Sequence, residues 1–218
     1  VDDKPIPSAA DVVLAVPEIR DYHAINAAII RHLDAGCGTI RLAGVNGQRL
    51  LAAGLAGTWS GVIEVDGDAG PELAAGLDAP GLVVFCRGRA ADGAASRMRA
   101  GRVLVLGDAG TAFGYGMAGG LAVAAGNAGP RVGLRQAGGD LVVLGETGSL
   151  AGECQSGGRL FAFRDRNGPH AGHGRGGGRF VLVDRDGPTD RGREADETDR
   201  VELIGLLEGF RPWLGPVA

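Results

Sequence analysis

The sequence predicts an all-β solenoid: a parallel β-helix with one amphipathic helix before it and a short helix after it. Two observations predict this. The chain repeats itself, because GRVLVLGDAGTAFGYGMAG, GLAVAAGNAGPRVGLRQAG and GDLVVLGETGSLAGECQSG follow one another from Gly101 to Gly157. Glycines open these and the flanking copies at 61, 81, 101, 120, 139, 158 and 178, which sets a period of 19 or 20 residues. Such a period is too short for a strand, a helix and two loops, but it holds one turn of a β-helix. One copy cannot own a hydrophobic core and becomes stable only when its neighbours stack on it. About seven coils, ~4.8 Å apart, make a rod on the order of 30 Å long.

Composition agrees. The chain has 218 residues, 44% apolar and 22% charged, which describes a folded domain rather than a disordered segment. A formal net charge of -4 gives no general basic excess, so nucleic acid is not the expected partner. The 41 glycines lack the every-third period of collagen and fall at the corners of the repeat. Cys37, Cys86 and Cys154 form no paired framework and no CxxC. They predict a reducing compartment and no structural zinc, with Cys86 a small core residue and Cys154 a partly exposed thiol. No apolar stretch has the length of a membrane span, and the first residues lack the basic and apolar regions of a signal peptide, so a cytoplasmic protein is expected.

The elements follow in order. Residues 1–17 read as an extended arm, because Pro5, Pro7 and Pro17 discourage regular structure; Val12, Val13 and Leu14 would anchor it. Residues 18–36 read as a capping helix. Ile19, Tyr22, Ile25, Ile29, Ile30 and Leu33 recur at helical spacing, Arg31 and His32 suit its last turn, and Gly36 and Gly38 stop it. Residues 37–183 read as the β-helix, with an irregular first coil at 39–57 and Trp59 at the seam between helix and stack. Its strands are VIEV, LVVFC, RVLVL, LAVAA, DLVVL, RLFAF and RFVLV. Leu73, Ala75, Leu77, Met98, Phe113, Met117, Val132 and Leu134 would point inward from a second, shorter face. A leucine-rich horseshoe would need LxxLxLxxN, which is missing, and a dinucleotide loop would need a long helix after its glycines, which is also missing. Residues 184–200 read as a charged link, and 201–218 as a helix and aromatic tail that either caps the last coil or reaches another subunit.

The residues assign no catalytic, cofactor-binding or metal-binding position in this chain. No nucleophile lies in a GxSxG elbow. Asp68, Asp108 and Asn127 recur at one place in their coils, which suits side chains that satisfy corner backbone groups. Arg164, Arg166, Arg175 and Arg179, with His170 and His173, form a basic rim near the end of the solenoid. The plain reading is an exposed, charged last coil; the functional one is a rim that docks an acidic partner or a substrate carboxylate. His170 and His173 lack a third ligand nearby in sequence.

The repeat GxhxVxGxAGxxxGxxMxxG resembles the GXGXG domain. It is carried most fully by Gly101, Gly107, Gly110, Gly114, Met117 and Gly120, and next by Gly120 to Gly139. That domain closes the large subunit of glutamate synthase. It also occurs as a stand-alone subunit of the N-methylglutamate synthase type and, more distantly, within formylmethanofuran dehydrogenase. The leader EIRDYHAINAAIIRHLDAG with TIRLAGVNGQRLLAAGLAG, and the terminal VELIGLLEGF, look like the stand-alone glutamate-synthase type. The resemblance spans about residues 18–183; Arg87, Arg164 and Asp184 stand where it has glycine. It implies a single-stranded right-handed parallel β-helix that is a non-catalytic scaffold. Such a scaffold joins glutaminase-like and FMN-dependent synthase-like chains and frames ammonia transfer in an oxidoreductase and amidotransferase complex. It implies no cofactor in this chain, and FMN and an iron–sulfur cluster in a partner chain. The alternatives are the equivalent part of a formylmethanofuran dehydrogenase or formyltransferase/hydrolase complex, or a stand-alone β-helix enzyme or binding protein working through Arg164, His170, His173 and Arg175.

Overall fold

A computed structural model of the chain describes residues 11–19, 21–163, 166–183 and 197–214. Nine strands form one parallel sheet in strict sequence order: β1 (Val12–Ala15), β2 (Thr39–Asn46), β3 (Ser60–Asp68), β4 (Asp78–Cys86), β5 (Ala100–Val105), β6 (Ala118–Ala124), β7 (Ala137–Val143), β8 (Gly157–Phe163) and β9 (Arg179–Val183). Each strand pairs with the next one along the chain, which is the signature of a parallel β-helix. A column of bridges, Ala69 to Ala90, Ala109, Ala128, Thr147 and Asn167, repeats on a second side. Between the two sides the core holds Ile63, Val84, Val103 and Leu141 from the sheet, with Leu73, Leu77, Met98, Phe113, Met117 and Val132 opposite. Leu134 is only partly buried, because its place in the coil is shared by Tyr115 and Glu153, also half-exposed, rather than by core residues.

Two glycine places show why the repeat needs them. Gly120 has φ +79°, and a Cβ there would sit 2.7 Å from Gly101 O of the preceding coil. Gly107 closes its strand 3.0 Å from Gly88 O, where a Cβ would again meet backbone. Close stacking of coils therefore excludes side chains at these points. The second side goes further. Positive φ recurs at every other residue, as at Ala112, Gly114 and Gly116, and twelve non-glycine residues among those described adopt it. Such residues cost about 1–2 kcal/mol each. The offset is a regular ladder in which amides alternate direction: Ala112 N donates to Pro130 O of the next coil, and Gly114 N to Ala94 O of the previous one.

Of the arm expected over 1–17, residues 1–10 lie outside the described residues. Val12–Ala15 are a strand paired to β2, and α1 (Val16–Ile19) follows. Prolines flank that strand rather than interrupt it, so the ladder is available to Val12, Val13 and Leu14. The helix expected over 18–36 is divided. A new start falls at Asp21, whose φ and ψ are -82° and 120° and whose carboxylate accepts from His23 N, so α2 runs Tyr22–Asp34. Ile25, Ile29 and Leu33 of α2 join the solenoid core, and Trp59 Nε1 donates to Asp34 Oδ1 at 2.9 Å. After Val183 the link over 184–196 lies outside the described residues. Helix α3 (Glu197–Glu208) starts inside the stretch read as link and is followed by α4 (Arg211–Leu214). No helix among the described residues is long and apolar enough to cross a membrane.

Candidate functional site

Three places on the rod carry chemistry. The first is the outer face of the sheet. In the later coils one row of its outward residues is apolar: Phe85, Leu104, Val123, Val142, Phe161 and Val181. Leu203, Leu207 and Phe210 of α3 and its end pack on them, and Trp213 reaches Phe85 with ring centroids 5.3 Å apart. The tail thus folds back along its own solenoid instead of capping the last coil. Ion pairs seat it. Arg159 binds Asp140 through Nε at 2.5 Å and Nη2 at 2.9 Å, and Glu202 of α3 through Nη1 at 2.7 Å. Arg179 pairs with Asp199 and, at 3.4 Å, with Glu202. The carboxylate of Asp140 is the main reason why the Arg159 pKa is raised, with Glu202 a smaller one.

The second place is a corner hollow of about 330 Å³ lined by Asp68, Arg89, Asp108 and the alanines between them. Asp68 Oδ1 accepts from Arg89 N at 2.8 Å, Asp108 Oδ1 from Asn127 N at 2.8 Å, and Asn127 Oδ1 from Glu146 N at 2.8 Å. Each side chain satisfies a corner amide of the following coil. The Arg89 amide, and then its guanidinium, hold the Asp68 carboxyl below the usual range. The carboxylates are occupied by this structural role, and the hollow is open and shallow.

The third place is the end of the last coil. His170, His173 and Arg175 are exposed and Arg166 half-buried, while Arg164 lies outside the described residues. Arg175 Nη2 donates to Gly178 O at 2.9 Å, and the guanidinium lies 5.9 Å from the centre of the Phe180 ring. Arg175, Arg179, Phe180 and Asp199 line a hollow of about 140 Å³. That is well below the ~300–1,000 Å³ of a small-molecule pocket. His170 and His173 share one tight turn, with His173 N donating to His170 O. Among the described residues no group of three His, Cys, Asp or Glu side chains is arranged to hold a metal. Of the cysteines, Cys86 is buried, which raises its pKa, and Cys154 is exposed.

The sequence reading did not single out two glutamines beneath this end. Gln136 and Gln155 are fully buried. They take the place that Leu77, Met98 and Met117 hold in earlier coils. In that place Met117, Gln136, Gln155 and Arg175 each donate their amide three residues back. Gln136 Nε2 caps Gly138 O, Gly139 O and Arg159 O, at 3.0–3.3 Å. Gln155 Nε2 donates to Gln136 Oε1 at 3.2 Å and lies 3.2–3.4 Å from the matching carbonyls of Gly157, Gly158 and Arg179. The available signal was the alignment of the copies, which puts a carboxamide where two earlier copies have methionine.

No protein-family model matches the chain, and no curated protein sequence matches it.

Proposed function

We propose that this chain is a non-catalytic β-helix subunit of a glutamate-synthase-like complex. It holds a glutaminase-like chain against a synthase-like chain that carries FMN and an iron–sulfur cluster, and it helps frame the passage of ammonia between them. The observation that supports this most is the place of each motif residue in the stacked coil. Gly101 and Gly120 open successive strands at φ +89° and +79°, and Gly107 closes its strand against the previous coil. Met117 fills the interior and Gly114 carries the alternating turn at φ +69°. The repeat that resembles the GXGXG domain thus accounts for the coil residue by residue. A stack held together along its whole length is rigid, and rigidity suits a part whose work is to fix the distance between other chains.

Native mass spectrometry of the full-length protein, purified gently from its own cells, tests this. The expected result is a complex with two further chains that carries bound FMN and iron. A lone chain, or a homo-oligomer, overturns the reading.

A further inference from the structure

The two ends of the solenoid differ in how their last hydrogen bonds are met. At the first coil the stack would leave Ala52 N without an acceptor. Asn26 of α2 supplies one, with Oδ1 2.9 Å from Ala52 N, while its Nδ2 donates to Leu50 O at 2.8 Å. One carboxamide therefore stands in for the peptide group of a missing coil. At the last coil the matching groups have no such partner among the described residues. Coil after coil, one amide at the start of the turn and one four residues on donate forward: Arg131 N to Ser149 O and Arg135 N to Glu153 O, then Leu150 N to Pro169 O and Cys154 N to His173 O. The next in line are His170 N and Gly174 N, which no described acceptor meets. Beneath them Gln155 Oε1 is fully buried and has no donor, although the same atom of Gln136 accepts from Gln155. Arg175, which follows in that column, turns its guanidinium to Gly178 O and Phe180 instead.

We propose that this end is an interface, capped by an acidic segment of a partner polypeptide. Its chemistry selects that occupant. Two amides aimed forward ask for carbonyl or carboxylate acceptors. In the coil before, Leu150 N and Cys154 N find them in Pro169 O and His173 O, four residues apart along one chain, a spacing that a polypeptide repeats and a simple anion does not. Arg166, Arg175, His170 and His173 around the end favour carboxylates on the incoming chain. A second copy fits neither way. Its last coil presents the same donors and the same basic side chains, and its first coil is already closed by α2. Helices α3 and α4 run along the sheet toward Phe85, away from this end. His170 and Gly174 are exposed, so water meets their amides in the free chain and a partner that covers this end has to supply acceptors in its place.

The inference rests on the subunit reading in requiring that a partner chain exists, and the test separates the two. The full-length protein and its Arg166→Glu/Arg175→Glu variant are recovered from the source cells by the same gentle route. A photo-crosslinking residue at Ala171 reports the neighbour. The expected result is a complex about tenfold or more weaker in the variant, with an unchanged melting curve, and a crosslink from position 171 to a stretch of another chain rich in Asp and Glu. In the free chain the amides of His170 and Gly174 exchange quickly while those of Leu150 and Cys154 are protected; in the complex all four are protected. If the partners stay bound to the charge-reversed variant, docking lies elsewhere and only this inference falls. If position 171 crosslinks to residues 184–196 of its own chain, or if His170 and Gly174 are already protected in the free protein, the end is covered from within and the inference falls. If neither protein brings a partner, both readings fall together.

Discussion

The outer face of the sheet has two halves on one backbone. The strands at its beginning and the strands further on share a register, so Arg41 lies level with Glu64, Phe85 and Leu104. In the early strands this face carries Arg41, Glu64, Asp66 and, at the edge of the next coil, Arg87. They form ion pairs of 2.6 Å between Arg41 and Asp66 and 3.2 Å between Arg87 and Glu64. From Phe85 onward the row level with Arg41 and Glu64 is apolar and lies under α3 and α4, while the neighbouring row carries Asp140, Arg159 and Arg179, and its two arginines pair with α3. The difference teaches what the outward side chains decide. The inward residues are apolar in both halves, so the solenoid closes either way. A second layer forms only where this outward row is apolar as well, and the tail is then needed to keep it from water. Where charges replace them, the sheet stays bare and the tail stops.

The comparison breaks most sharply at Phe210. Its side chain is fully buried between the helices and the sheet. Phe210→Ala is expected to cost about 3–5 kcal/mol, the usual range for a large core aromatic. Urea unfolding in a Trp59→Phe background, which leaves Trp213 as the only tryptophan, measures it by fluorescence, since the Trp213 ring lies 6.3 Å from that of Phe210 and reports the same layer. If α3 and α4 merely rest on the solenoid, Trp213 will lose its burial at low urea while far-ultraviolet circular dichroism stays native, and the two transitions will separate. Coincident transitions mean that the second layer and the solenoid fold as one unit.

Arg41→Ala probes the other half. Arg41 and Asp66 pair across neighbouring strands with about two-fifths of each side chain in water, 46% and 37%. Exposed pairs of this kind add little, because water screens both charges. The urea midpoint is expected to stay within the error of the measurement. A shift comparable to that of Phe210→Ala would show that the bare half is held by its charges, and that the contrast between the halves has been drawn in the wrong place.

How much of this was legible depends on what repeats. The glycine period fixed the solenoid because close approach of backbones leaves no other residue at Gly107 or Gly120. The alternation in TIRLAG and VIEV, set against the unbroken apolar runs LVVFC, RVLVL and DLVVL, also marks which strands are covered on one face and which on both. That contrast carries the docking of the tail, yet it is invisible to a reading that takes each strand singly. Asn26 was beyond reach for another reason. It occurs once, it lies on a helix otherwise read by its apolar face, and its role exists only because a particular coil has no predecessor. The division of the first helix at Asp21 was legible as a cap, since Asp before an apolar-periodic stretch is a start signal, but the periodicity through Ile19 and Tyr22 outweighed it. The buried Gln136 and Gln155 follow from aligning copies, not from any local rule.

A small effect that depends on pH lies at the corner that ends the bare half. The Asp68 carboxylate accepts from the amide and guanidinium of Arg89, and its pKa is lowered from 3.8 chiefly by the amide. A carboxyl with a depressed folded pKa binds its proton more weakly when folded than when unfolded. Its contribution to stability is therefore complete above the unfolded value of about 4, and it is lost as the pH falls through the folded one. Asp68→Asn keeps an oxygen for the Arg89 amide but carries no charge, so it has no such contribution to lose. Urea midpoints of the two proteins are expected to differ slightly at neutral pH and to converge as the pH falls below the ordinary carboxylate range. A gap that persists or widens in acid would mean that the carboxylate acts through its shape at the corner and not through its charge. Asp108 makes the same bond to the Asn127 amide, while the guanidinium of Arg89 pairs with Asp68 and not with it, and it is the matched control.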